Sequence, residues 1–479
     1  MRVILLLHRY LGVAVGLLMT LWCLSGFVMM YQGYPHLAET ARLRGLEPLR
    51  WAGCCASGRL RLGDGERLSG FAIEMLAGRP VLRLAASGGP RTVDLASGAE
   101  LHGLTTPTVQ AAASSYAKGN RIVGPPHDLG LIDHDQWTVE GAGRRGPVHH
   151  LRFDDPAGTE LYLADRTGEA VQATTRASRF WAWLGAIPHW LYPTVLRQNV
   201  GLWDAVVVWT SLTGCFLTLT GLYVGVVRFR WGGRGSPYRG WMYWHHLSGL
   251  LFGILTLTWV ASGLMTMNPW GLLDTPVGAV QRQRLAGDIP AAEADRFIAA
   301  APAMIEGDVV RLEAAPLAGR LFVMATRSDG ASQRLDADGR PAPLAVAAVA
   351  AAVLATSGPA VADVVRLDHE DAYYYSGYDG PAALPAYRVR LADGQATTVY
   401  IDARSGRVVQ AVDRTARASR WLRTGLHDWD FAGLRRRPVW DAVVLTLLVG
   451  VTAVCALGAW LGLRRLQHDL AGLRRKRRS

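Results

Sequence analysis

Hydrophobic positions along the chain collect into four unbroken runs, 3–31, 203–227, 245–267 and 440–463, separated by two long mixed stretches. Each run is close to or above the ~20 apolar residues a helix needs to cross a bilayer. The first run follows Arg2 as a secretory leader would. It is too long for one, and no small-residue cleavage site of the usual kind follows. It is read as a retained span. Inside the mixed stretches the period shortens. Residues 80–84 with 91–95, and 320–325 with 332–335, alternate like hairpins. Alanine-rich segments 108–117 and 345–356 read as one helix each. Residues 386–391 and 397–401, with turns at Ala392-Asp393-Gly394 and Arg404-Ser405-Gly406, form a meander whose Tyr387, Val389 and Leu391 face one side. Residues 149–153, 160–163 and the turn Arg166-Thr167-Gly168 stand in the same place in the first stretch. The predicted fold class is an α-helical integral membrane protein with four transmembrane helices, arranged as two tandem two-helix repeats, carrying α+β domains outside the bilayer.

The repeat is explicit in the residues. His8, Gly12, Gly16, Trp22, Ser25, Gly26 and Met30 recur as His245, Gly249, Gly253, Trp259, Ser262, Gly263 and Met267, an offset of 237 throughout. Trp203, Asp204 and Ala205 recur as Trp440, Asp441 and Ala442, and Gly221 and Gly225 as Gly458 and Gly462, again 237 apart. The unit is span, large insert, span. An even number of spans per copy gives both copies one orientation and a pseudo-two-fold axis along the membrane normal.

Charge then fixes orientation. Arginine and lysine number 51 against 39 acidic residues, a net charge of +12, and only Lys118 and Lys476 are lysine. The arginines gather beside the apolar runs, so the basic balance reads as membrane topology rather than nucleic-acid binding. Arg228, Arg230, Arg234 and Arg239 join the second and third runs, and Arg464, Arg465 and the basic run 474–478 end the chain. Both regions are expected on the cytoplasmic side together with the N-terminus. The inserts then face the periplasm of a bacterial inner membrane, with Arg435, Arg436 and Arg437 as a local exception. Cys23, Cys215 and Cys455 lie within apolar runs and read as packing. No Cys-x-x-Cys-His occurs, so covalent haem attachment is unsupported. The adjacent Cys54 and Cys55 read as a loop, with metal binding or a disulfide as alternatives.

The candidate chemistry lies in four histidines. His8 and His245 open the first and third runs. His189 and His427 follow arginine-studded aromatic segments, 176–189 and 417–427, which read as helices lying in the membrane interface. A two-fold axis brings His8 towards His245 and His189 towards His427, giving two bis-histidine haem sites, one per leaflet. Other helix pairings stay open. Such iron has no free coordination position and transfers electrons. Intramembrane ionisable residues are costly and usually functional. Gly12 and Gly16, and Gly249 and Gly253, share the face of the neighbouring histidine and form a candidate cradle for a flat cofactor; the alternative is small-residue helix packing. His246 rivals His245, but only His245 has glycine at both i+4 and i+8. Arg176, Arg179, Arg417, Arg420, Arg423 and Arg435, Arg436, Arg437 are candidates for haem propionates or an anionic substrate, with lipid headgroups as the plainer partner. His134 within Asp133-His134-Asp135, and His369 within Asp368-His369-Glu370, are candidates for touching a ferric chelate, or else polar strand edges.

The His8-Arg9-Tyr10-Leu11-Gly12 motif, Leu24-Ser25-Gly26, Leu426-His427 (Pro188-His189 in the first copy) and the meander AYRVRLADGQATTVYIDARSGRV together resemble the PepSY-associated transmembrane helix family, also called iron-regulated or PiuB-like membrane proteins. The resemblance covers nearly the whole chain. It implies PepSY-like domains in the inserts, His8, His189, His245 and His427 as ligands of two haem b, and a di-haem reductase of a ferric siderophore or similar ferric chelate. No Rossmann glycine fingerprint is present, so the electron donor, a quinol or a reductase, is left open. Alternatives are a PepSY-type binding or regulatory protein without redox chemistry, and a haem relay to a partner protein. The expected division is 3–31, span; 32–175, insert; 176–199, interfacial segment; 203–227, span; 228–244, cytoplasmic loop; 245–267, span; 268–413, insert; 414–438, interfacial segment; 440–463, span; 464–479, basic tail.

Overall fold

A computed structural model describes residues 2–51, 54–55, 67–86, 89–233, 235–356, 360–377 and 380–476. Arg234, Arg477 and Arg478, expected on the cytoplasmic side, lie outside the described residues. The chain divides into two compact units. One comprises 1–34, 177–274 and 418–479, and the other 35–176 and 275–417.

The first unit is built on four helices long and apolar enough to span a membrane: Arg2–Met29, Val200–Arg228, Trp241–Thr266 and Val439–Lys476. The chain therefore has four membrane-span-capable helices, starting and ending within a few residues of the hydrophobic runs except at the C-terminus. There the fourth helix passes the expected end at 463 and continues to Lys476. Arg465 and Asp469 pair at 3.0 Å across one turn and support that extension. Hydroxyls within the spans return to their own helix: Thr20 donates to the Gly16 carbonyl, Thr210 to Val206 and Thr452 to Leu448. No polar side chain of that kind then needs water. Glycines set the helix contacts. A Cβ at Gly16 would lie 3.4 Å from the Ala459 backbone, and one at Gly462 would lie 3.5 Å from the Gly12 carbonyl, so the first and fourth helices pack backbone to backbone.

The second unit is α+β. The first insert supplies β1 (Arg67–Leu76), β2 (Arg79–Ala86), β3 (Gly89–Asp94), β4 (Pro126–Ile132), β5 (Val148–Phe153), β6 (Glu160–Ala164) and β7 (Ala170–Thr174). The second insert supplies β8 (Ile289–Pro290), β9 (Val309–Ala314), β10 (Phe322–Arg327), β11 (Ser332–Asp336), β12 (Val361–Leu367), β13 (Ala386–Leu391), β14 (Thr398–Asp402) and β15 (Val408–Val412). Strands β4–β7 and β12–β15 each make a four-stranded antiparallel meander. One helix covers each meander. Val109, Ala113 and Tyr116 pack on Leu151, Phe153 and Leu161, and Val349 and Val353 pack on Tyr387, Val389 and Ile401.

The remaining strands form one sheet drawn from both inserts. They join as β11-β10-β9-β1-β2-β3, with β8 on β1, because β1 pairs antiparallel with β9 about Ile73 and Leu312. One face of this sheet is apolar. Ile73, Leu82, Leu312 and Val323 pack there with Phe297 and Ile298 of helix Ala291–Met304. The other face carries charge. Buried Glu74 accepts from Arg83 at 3.1 Å and Arg42 at 3.2 Å, and lies 3.5 Å from Arg311. Burial pushes the Glu74 carboxyl up, but Arg83, Arg42 and Arg311 outweigh it and hold it below the usual range.

Helix Thr106–Asn120 crosses the short helix Glu39–Arg44 so closely that a Cβ at Gly119 would fall on the Arg44 carbonyl. Ser115 donates to the Gly45 carbonyl and Asn120 to Ala41, both at 2.9 Å, and these bonds fix the approach. Gly119→Ala is expected to destabilise the head by about 1–3 kcal/mol, an overpacking cost, read as a lower melting temperature of the full chain. An unchanged melt would mean that the two helices separate freely.

Candidate functional site

The four candidate histidines all fall in the helical unit, and the structure brings them together as two pairs. His8 and His245 have ring centroids 6.3 Å apart with planes at 26°. His189 and His427 have centroids 6.1 Å apart with planes at 60°. His8 lies in the first helix and His245 in the third. His189 ends the short helix Ala186–His189, and His427 follows the single π-turn Trp421–Gly425. Along the first helix, 17 residues separate His8 from Ser25, which touches His189. At 1.5 Å per residue the two pairs stand about 25 Å apart, close to the thickness of a hydrocarbon core.

Each imidazole is oriented through Nδ1. His8 Nδ1 donates to the Leu217 carbonyl at 3.1 Å. His245 Nδ1 turns towards the Val454 carbonyl, 237 residues after Leu217, without closing a hydrogen bond of good geometry. At the other level, Nδ1 of His189 lies 3.1 Å from Ser25 Oγ and 3.2 Å from the Trp22 carbonyl, and Nδ1 of His427 lies 3.1 Å from Ser262 Oγ. Each serine donates its own proton to a tryptophan carbonyl one turn back, Trp22 at 3.0 Å and Trp259 at 3.1 Å, so its oxygen accepts from the ring N–H. A ring protonated at Nδ1 in this way keeps the lone pair on Nε2, the nitrogen suited to a metal.

His245 and His246 differ in their partners. His246 is buried, with Nδ1 2.8 Å from Ser236 Oγ and Nε2 2.9 Å from the Gly225 carbonyl. Both nitrogens are engaged in tying the loop after the second helix to the third.

The glycines divide. A Cβ at Gly16 meets Ala459, and one at Gly253 meets Leu222 at 2.6 Å, so these two positions lie at helix contacts. Gly12 has only Leu217 at 4.0 Å, and Gly249 has nothing within 4 Å. The glycines that touch the histidines are others. A Cβ at Gly221 would lie 2.6 Å from His8 Cε1, one at Gly458 3.0 Å from His245 Cε1, and one at Gly263 3.3 Å from His427 Cε1. Sequence reasoning found these glycines as part of the repeat but gave them no role. Their partners sit on a different helix, which spacing along one helix does not reveal. The same holds for Ser25 and Ser262.

Several arginine candidates are used structurally. Arg420 and Arg435 both pair with Asp430, Arg423 donates to the Thr266 carbonyl at 3.0 Å, and Arg437 reaches Asp441 and the Met30 carbonyl. They tie the ends of the helices together. Arg417 donates to the Ala396 carbonyl at 2.7 Å. Helix Arg176–Leu184 leaves Phe180, Trp183 and Leu184 exposed, as an interfacial segment requires.

The acidic motifs of the head act as loop staples. Asp135 caps the backbone of Trp137 and Thr138 and accepts from Tyr162 at 2.7 Å. Asp371 does the same for Tyr373, Tyr374 and Tyr400. Burial raises the Asp371 carboxyl, but these donors and Arg388 bring it below its usual range. Cys54 and Cys55 are joined by a disulfide, and Cys55 packs into the apolar core of the large sheet.

A family model described as the PepSY-associated TM region matches residues 5–465. No curated protein matches the chain.

Proposed function

Because the chain belongs to the PepSY-associated TM region family, we propose that it is an inner-membrane b-type electron-transfer protein that reduces a ferric siderophore or similar ferric chelate on the periplasmic side. Its two halves are tandem span–insert–span repeats with both termini cytoplasmic. The arginines at the connection between the second and third helices, and those after the fourth, favour that orientation.

The observation that carries the reading is the separation of the paired rings. A metal held between two imidazoles at roughly 2 Å, with about 1.2 Å more from nitrogen to ring centre on each side, sets the centroids about 6.4 Å apart. The pairs stand at 6.3 and 6.1 Å. The differing plane angles are compatible with this, since a ring turns freely about the nitrogen–metal axis. Two donors do not satisfy a bare ion, and among the described residues no three His, Cys, Asp or Glu side chains gather to hold one. His8 with His245, and His189 with His427, would hold a haem, whose porphyrin supplies the donors that the protein does not. Haem bound there would supply one-electron transfer with no open position for oxygen chemistry.

The chain's own contribution is positional. Leu217, Ser25 and Ser262 fix the ring tautomers, and Gly221, Gly458 and Gly263 leave room for the imidazoles. The acceptor class rests on the family resemblance. One electron converts ferric to ferrous iron, which hard oxygen ligands hold more weakly, so the metal is released. A quinol or a reductase is the proposed donor.

The test is to reduce the purified protein with dithionite, remove the excess, and add a ferric siderophore with a ferrous-iron trap. Haem bands that sharpen on reduction and reverse on addition are expected, with roughly two ferrous ions trapped per chain, one per haem. A folded, colourless protein would leave the head as a binding or regulatory module. Bands that persist after the chelate is added would indicate a relay to a partner protein instead.

A further inference from the structure

The charged face of the seven-stranded sheet carries a cavity of about 470 Å³ that the electron-transfer reading does not use. Its walls come from β1, β2, β3 and β9, from helix Val277–Ala286, and from the turns that lead into β7 and β15. The volume arises from small residues. A register shift after Leu68 sets Gly70 opposite Ala85, and Ala72 follows opposite Arg83. A Cβ at Gly70 would have no neighbour within 4 Å. Four arginines (Arg83, Arg282, Arg311 and Arg407) line the space among the described residues, against Glu169 and Glu313. Counting Glu74 beneath them, the wall still carries an excess of one positive charge. Ala72, Ala85 and Pro316 supply an apolar portion. A volume in the range of small-molecule sites, with apolar walls and convergent guanidiniums, suits an organic anion better than a simple ion.

A second observation points the same way. Thr92 lies in this wall at 2% exposure, and its hydroxyl has no hydrogen-bond partner among the described residues. Buried polar atoms are normally satisfied, and those left open are sites where a ligand recovers what folding gave up.

We infer that this cavity binds a small organic polyanion with two or more carboxylates, its oxygens held by Arg282 and Arg407 and by the Thr92 hydroxyl. Arg407 already spans Glu313 at 3.0 Å and the Ala314 carbonyl, which holds its guanidinium in the wall. Arg282 reaches in from the surface of its helix. Guanidinium–carboxylate bonds are charge-assisted and favour a ligand of this class over neutral molecules. The inference is independent of haem binding.

The experiment is calorimetric titration of the full-length protein in detergent, with citrate as the probe and inorganic phosphate as the comparison. Saturable citrate binding is expected, weakened about tenfold by Arg282→Gln, the loss of one charge-assisted contact. Thr92→Val is expected to weaken binding several-fold while leaving the melting temperature unchanged or raised, because a merely structural hydroxyl would lower it. Citrate binding that is absent, or is unaffected by both substitutions, overturns the assignment. Phosphate binding more tightly than citrate overturns the carboxylate class.

Discussion

Alanine at His8 or at His245 is expected to remove one haem and leave the other, halving the haem absorbance per chain. Alanine at His189 or His427 should remove the other half. The reason is geometric. Each pair of rings stands 6.1 to 6.3 Å apart, so loss of one would leave a single imidazole to hold its haem, while the second pair, about 25 Å further along the first helix, is untouched. The pattern of combinations is sharper than any single loss. His8→Ala with His245→Ala should lose no more than either alone, and His8→Ala with His189→Ala should lose both haems. His246→Ala is the control. Its nitrogens are engaged with Ser236 and the Gly225 carbonyl, so it should keep full haem content and loosen only the loop before the third helix. Haem loss with His246→Ala but not with His245→Ala would reverse the assignment made by these contacts.

Glu74→Gln is expected to cost the head about 3–5 kcal/mol at neutral pH, the range for breaking a buried ion pair from one side. Glu74 is 1% exposed and pairs with Arg42, Arg83 and Arg311, so its neutralisation leaves these guanidiniums only the outer carboxylates Glu39, Glu169 and Glu313. The pH dependence has a definite sign. The folded carboxyl titrates below its unfolded value, so its contribution is fully present above about pH 4.3 and is lost as pH falls through the lower, folded pKa. Melts of the full-length protein between pH 6 and 3 should therefore show the gap between wild type and Glu74→Gln narrowing on the acid side. A gap that widened with acid would mean that the carboxyl is held above its unfolded value instead.

The spans were legible because bilayer thickness imposes a length and a composition that no soluble helix needs. The four runs became four helices with ends shifted by a few residues, except that the fourth continues from 463 to Lys476. The meander strands were legible at residues such as Tyr387, Val389 and Leu391, where a half-buried sheet forces alternation. Strand β1 was not. It is the central strand of its sheet, buried on both faces from Phe71 onward, and a strand buried on both faces loses the period of two. Its charged residue, Glu74, reads as surface in the sequence and is among the most buried carboxylates in the fold.

What the sequence determined by itself is the set of repeated positions: His8 and His245 with their glycines, serines and tryptophans at an offset of 237, and His189 and His427 one residue off it at 238. Repetition is a property of the chain and needs no coordinates. The tertiary structure alone decided which ring faces which, that His246 is engaged elsewhere, that Gly221 and Gly458 rather than Gly16 and Gly253 border the imidazoles, and that the two inserts share one sheet through β1 and β9. Apart from those of His246, these are contacts between segments some 210 to 240 residues apart. Spacing along one helix or strand reports only which residues share its face; what that face meets is set by the packing of the whole chain.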